Sequence, residues 1–141
     1  MSLLTRTDTD ILEPMEKHVV VALDDDPQTL DALHRLLRKE SYELRTTFKP
    51  AEALKWIAAG EVSLLLSDHL MPDMLGTQLL EKVGHRSPET ARVLLTGYPD
   101  STLLLRDVPS RPLLMYKPWD DDELRETIRQ ILSEQVARED A

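Results

Sequence analysis

"SLLLSDHLMPDMLG", Ser63 to Gly76, decides how the chain is read. Three leucines between serines have the length and character of a buried strand. The run then ends in Asp68, and the pattern breaks into His69, Leu70, Met71-Pro72, Asp73 and Gly76. A carboxylate at the end of an apolar strand is costly unless a cation or a proton offsets it. The neighbours of Asp68 should therefore reveal its purpose.

Working outward, the same logic recurs. "HVVVAL", His18 to Leu23, is a β-branched run that ends in Asp24, Asp25 and Asp26. Pro27 then suits the first turn of a helix, and Leu30, Leu33, Leu36 and Leu37 give Gln28 to about Glu40 an apolar stripe. "YELRTT", Tyr42 to Thr47, reads as a second strand. Pro50 to Ala59 reads as a helix with Ala51, Leu54 and Ile57 or Ala58 inward, stopped by Gly60. Val62 to Ser67 is the third strand, and Thr77 to Val83 the helix after the quoted loop. "ARVLLT", Ala91 to Thr96, is the fourth strand, broken by Gly97. Ser101 to about Val108 is expected to be a weak helix crowded by Pro99, Pro109 and Pro112. "PLLMY", Pro112 to Tyr116, is the fifth strand. Asp120 to about Ala137 is the last helix, with an acidic first turn that complements its dipole. Five strands alternating with five helices predict a doubly wound α/β fold with a parallel sheet and right-handed crossovers. Residues 17–138 form the predicted domain, after a flexible tail at 1–16 and before a tail or linker start at 139–141.

Composition narrows the function. The chain has 141 residues, 41% of them hydrophobic, enough for one domain with a real core. A net charge of −9 argues against direct nucleic-acid binding, which needs clustered cations. With no cysteine, disulfides are excluded and a reducing compartment is compatible. No apolar run is long enough for a membrane span.

In open α/β sheets the binding crevice lies beyond the carboxyl ends of the strands. Asp24, Asp25, Asp68, Thr96-Gly97 and Lys117-Pro118 all fall at such ends. Clustered carboxylates without histidine or cysteine favour a hard divalent cation, and Mg2+ leaves room for a phosphoryl oxygen. A lysine and a hydroxyl beside it suit the remaining phosphoryl oxygens. The parts fit phosphoryl transfer to a carboxylate. Among the neighbours, Asp26 reads as a helix cap, His69 as a loop residue, Asp73 as part of a solvated turn and Trp119 as an anchor for the last helix.

"VVVALDDDP", "LLLSDHLMPDMLG", "VLLTGY" and "YKPW", in this order, resemble the receiver domain of two-component response regulators, over His18 to about Ala137. The resemblance implies a flavodoxin-like fold with strand order 2-1-3-4-5, an order the general rule for such sheets already exemplifies with a receiver. It implies Asp68 as phospho-acceptor; Asp24, Asp25, Asp68 and the Leu70 backbone carbonyl as Mg2+ ligands; Thr96 as switch hydroxyl; and Lys117 as the conserved-type lysine, before a cis proline. It implies a sensor histidine kinase or a His phosphotransfer protein as partner, a linked or separate output domain, and a cytoplasmic location, and it admits a homodimer. Such a domain catalyses only its own phosphorylation and dephosphorylation. Gly97 leaves space for the phosphodonor.

One departure stands out. Leu114 occupies the usual aromatic switch position, and Tyr116 follows two residues later on the same strand face. The "TGY" and "KPW" variants resemble receivers joined to HD-type phosphodiesterases or transcription-activating modules. Two other classes remain open. A haloacid-dehalogenase-like phosphatase would need Asp-x-Asp-x-Thr, but its fifth position here is Gln28. A degenerate receiver would serve as a docking module without chemistry.

Overall fold

The computed structural model describes residues 17–98 and 102–139. The expected tail at 1–16, Ser101 at the start of the expected fourth helix, and the last two residues lie outside them. Five strands, β1 (Val19–Leu23), β2 (Glu43–Thr47), β3 (Leu64–Ser67), β4 (Ala91–Thr96) and β5 (Leu113–Tyr116), form one parallel sheet in the order β2-β1-β3-β4-β5. Helices α1 (Pro27–Leu37), α2 (Pro50–Ala58), α3 (Gly76–Arg86) and α4 (Asp121–Glu139) cover it.

The two faces follow from strand alternation. Val21, Leu23, Leu65 and Leu94 face α2 and α3, meeting Ala53, Ile57, Leu79, Leu80 and Val83. Val20, Ala22, Leu64, Leu66, Val93 and Leu95 face the other way, onto Leu30, Leu33 and Leu37 of α1 and Leu124, Ile128 and Leu132 of α4. A strand covered on both sides can be apolar at every position, which explains the unbroken leucines of β3.

Helix starts are encoded locally. The Asp26 carboxylate accepts from the Gln28 N–H at 2.9 Å, capping α1 as expected, with Pro27 in the first turn. Gln78 reaches back to accept from the Leu75 N–H at 2.9 Å, half of a capping box for α3. Asp120 accepts from the Glu123 N–H at 2.9 Å and caps α4. The Trp119 indole donates to Asp121 and packs against the α4 side of the core, anchoring that helix as expected. Gly60, at φ 76°, ends the turn after α2.

Two expectations are corrected. In α2 the inward alanine is Ala53, whereas Ala51 and Ala58 are exposed; the stripe runs through Pro50, Ala53 and Ile57 at helical spacing. The expected fourth helix is a single 3-10 turn, Thr102–Leu105, so the described residues hold four α-helices rather than five. Pro109 and Pro112 close the segment too soon for a longer helix, because the residue before a proline is pushed out of the helical region. Among the described residues of this stretch, Leu105 and Val108 reach the core.

Candidate functional site: an acidic rim with one lysine

Strand register builds the site. Leu23 pairs with Ser67, so the next residues, Asp24 and Asp68, leave the sheet side by side. The Asp68 N–H continues the ladder, donating to the Leu23 carbonyl at 2.9 Å. Thr96 pairs with Tyr116, so Lys117 follows at the same rim, its N–H donating to the Thr96 carbonyl at 2.8 Å.

The side chains then converge. Lys117 Nζ donates to Asp24 Oδ2 at 2.6 Å and lies 3.3 Å from Asp68 Oδ1. Asp24 Oδ1 accepts from the Asp26 N–H at 2.9 Å. Asp68 Oδ1 accepts from the His69 N–H at 2.9 Å. Asp24, Asp25 and Asp68 each offer a carboxylate oxygen within 4.8 Å of the others. The side chains of Asp24, Asp68 and Lys117 are 4%, 14% and 22% exposed, so bulk water screens this cluster poorly. Asp25 is exposed and has no hydrogen-bond partner among the described residues.

Electrostatics set the balance. Burial raises the pKa of Asp24, and the bond from Lys117 only partly offsets this. Burial would lower Lys117, but its bonds and charge contacts with Asp24 and Asp68 outweigh that and leave its pKa raised. Three carboxylates thus share one ammonium. The deficit of positive charge, in an all-oxygen donor set, fits Mg2+.

Several other residues complete the rim. Thr96 is fully buried, and its Oγ1 accepts from the Tyr98 N–H at 3.1 Å. A Cβ on Gly97 would meet nothing within 4 Å, so the space beside Thr96 is open. Leu70 and Tyr98 are exposed, and Leu70 bridges Leu75 across the loop. Leu114 is half-buried against the α2–α3 side of the core, while Tyr116 is exposed.

Sequence reasoning passed over two supporting residues, Ser67 and Gly76, and the burial of a third, His69. Ser67 is fully buried and donates from Oγ to the Asp68 carbonyl at 2.8 Å, fixing the chain where it leaves β3. Gly76 approaches so closely that a Cβ there would lie 2.1 Å from the Asp68 carbonyl oxygen; a glycine at a helix start behind a rim carboxylate was the available signal. His69 is a loop residue as expected, but a buried one; burial lowers its pKa, against a smaller pull upward from Asp68, and its Nδ1 has no hydrogen-bond partner among the described residues.

Comparison with known proteins agrees with this geometry. The response regulator receiver domain family matches residues 20–129. The hydrogenase transcriptional regulatory protein HoxA of Cupriavidus necator is 34% identical over 118 residues, covering 82% of this chain and 24% of that protein. The chain spans about a quarter or less of the length of the curated relatives it matches first. The receiver domain of an HD domain-containing protein from Pseudomonas fluorescens Pf-5 superposes with TM-score 0.80 at 31% identity, covering 89% of this chain and 93% of that one. The response regulator TrrA of Thermotoga maritima, solved in complex with Mg2+-BeF, superposes with TM-score 0.71 at 26% identity, covering 81% and 98%. A five-stranded sheet of order 2-1-3-4-5, a lysine joined to two rim carboxylates and a family match across most of the fold agree, and the chain belongs to the response regulator receiver domains of two-component systems.

Proposed function

We propose that Asp68 accepts a phosphoryl group from a sensor histidine kinase or a histidine phosphotransfer protein, in a Mg2+-dependent reaction that switches an interaction surface. The observation that carries this reading is Lys117, held 2.6 Å from Asp24 and 3.3 Å from Asp68 at a rim that also presents Asp25. Asp24, Asp25, Asp68 and the Leu70 carbonyl would hold the Mg2+, which when bound neutralises carboxylate and phosphoryl charge.

The chain's own groups have distinct tasks. An Asp68 carboxylate oxygen attacks phosphorus, the P–N bond of a phosphohistidine breaks, and the imidazole leaves with the electron pair. Lys117 already touches Asp68 and needs only a small shift to donate to a phosphoryl oxygen. Thr96 uses an oxygen lone pair on the Tyr98 N–H, which leaves its own proton for another phosphoryl oxygen. The opening at Gly97 admits the donor. Leu70 and Tyr98, both exposed at this end, flank the acyl phosphate and shield it from water. The resulting change reaches the exposed β5 side through Thr96 and Lys117, because Leu114 supplies no aromatic to rotate.

The similarity to receivers within longer proteins supports a linked or separate output domain acting downstream. Fluorescence of the two tryptophans tests the reading, since Trp119 sits two residues beyond Lys117. Beryllofluoride, a phosphoryl mimic, should change the signal only when Mg2+ is also present, and not in Asp68→Asn. A response without Mg2+, or an equal response in Asp68→Asn, contradicts it.

A further inference from the structure

We infer that the cleft between the C-terminal end of α1 and the middle of α4 is a docking site for an acidic segment of a protein partner. The cleft has a volume of about 350 Å³. Arg35, Arg38, Lys39, Arg125 and Arg129 surround it, with Leu36 and Glu40 between them. Five of the chain's 17 Lys and Arg residues therefore meet in one concavity of a molecule whose net charge is −9. Local sign opposes global sign, which is how a surface selects a partner of complementary charge.

The cations divide into two sets. Arg129 is committed: Nε and Nη2 donate to the two oxygens of Glu40, both at 2.6 Å. Arg125 pairs with Asp122. Arg35, Arg38 and Lys39 are exposed and have no hydrogen-bond or ion-pair partner among the described residues. The Tyr42 hydroxyl, within electrostatic reach of Glu40, Arg129 and Arg125, is buried with no hydrogen-bond partner among the described residues. The cleft thus offers two free guanidinium forks, an ammonium and a half-buried Leu36.

The forked Glu40–Arg129 pair shows which anion fits. A carboxylate already occupies one guanidinium in the bidentate manner, and Arg35 and Arg38 can receive others in the same way. Leu36 adds a place for an apolar side chain. A nucleic acid fits less well: Asp121, Asp122 and Glu123 are exposed one turn before Arg125, and an extended polyphosphate would lie over them. A short segment with carboxylates around an apolar residue avoids that repulsion. The cleft is also separate from the carboxylate rim. Asp26 caps α1 at the rim, and Arg35 follows nine residues later, roughly 13 Å along the helix.

The probe is a fluorescein-labelled peptide of sequence Glu-Leu-Glu-Glu-Leu-Glu, followed by fluorescence anisotropy. The full chain should bind it with a Kd of ~10–100 µM. Binding should weaken roughly tenfold in Arg35→Ala/Arg38→Ala/Lys39→Ala, and similarly at about 0.5 M salt. Replacing the peptide leucines by serine should weaken it too. Circular dichroism checks the fold of the triple variant, and Arg38→Glu alone provides a second variant. Equal binding by wild type and both variants overturns the inference, as does no saturation by ~1 mM peptide. Tighter binding of a single-stranded oligonucleotide with the same number of charges overturns the assignment to an acidic protein segment.

Discussion

Asp24 is held where its charge is expensive. Its carboxylate is almost fully buried, and the single lysine it touches is shared with Asp68. Burial keeps its pKa above the ordinary value. The folded protein therefore holds this proton more tightly than the unfolded chain does. The charged carboxylate's penalty is at its full, constant size above the folded pKa and is relieved as pH falls through that value toward the ordinary carboxylate range. With divalent cations chelated at neutral pH, Asp24→Asn should raise the Tm by about 2–4 °C, and the gap to wild type should narrow on acidification. Lys117 is not stranded by this change, because Asp68 remains within reach. A lower Tm for Asp24→Asn would show that the Lys117 bond outweighs burial and repulsion. At this scale the sequence was informative. Asp24, Asp25, Asp68, Thr96 and Lys117 all stand at strand ends, where a buried apolar run meets a polar residue. Nothing in the "DDD" run, however, showed that Asp24 is buried while Asp25 is exposed. Nor did it show that the Asp24 carboxylate pairs with Lys117, 93 residues away.

Arg92 shows what an element hides. Within "ARVLLT" it reads as an ordinary strand residue, yet it is buried on the α3 side of β4 and has no carboxylate partner among the described residues. Its guanidinium donates to the Leu80 carbonyl of α3 at 2.6 Å and the Pro109 carbonyl at 2.5 Å. Burial lowers its pKa. Gly84 makes the room: a Cβ there would lie 2.6 Å from Nη1. Arg92 therefore ties β4 and α3 to the connection that carries the 3-10 turn, a connection with little core contact of its own. Arg92→Met should speed amide exchange across residues 102–112 more than in the rest of the sheet. Gly84→Ala should do the same by displacing the guanidinium. In the Arg92→Met background, Gly84→Ala should instead stabilise by about 0.5–1 kcal/mol, the ordinary helix gain over glycine. Unchanged exchange in both single variants would show that the connection holds itself. The same region is where the sequence misled. The weak helix expected from Ser101 to about Val108 is one 3-10 turn, Thr102–Leu105, ahead of Pro109, and Leu103 stays exposed.

The whole molecule joins two surfaces that the sequence revealed unequally. The acidic rim follows from the residues at the strand ends, and the sheet order was implied by the resemblance to receivers, so both were legible. The basic cleft was not, because Arg35, Arg38 and Lys39 meet Arg125 and Arg129 only when α1 and α4 pack on the same face of the sheet. The rim is where the protein's chemistry is proposed to reside, and a change there must alter charge at Asp68 and its contact with Lys117. Among the described residues no helix is long and apolar enough to cross a membrane. The most direct measurement is the intact mass of the protein after exposure to a small acyl phosphate. With Mg2+ present, the wild type should gain ~80 Da, the mass of one phosphoryl modification. Chelation of Mg2+ should prevent the gain, and Asp68→Asn should lack it. No adduct on the wild type, or an equal adduct on Asp68→Asn, would contradict the account.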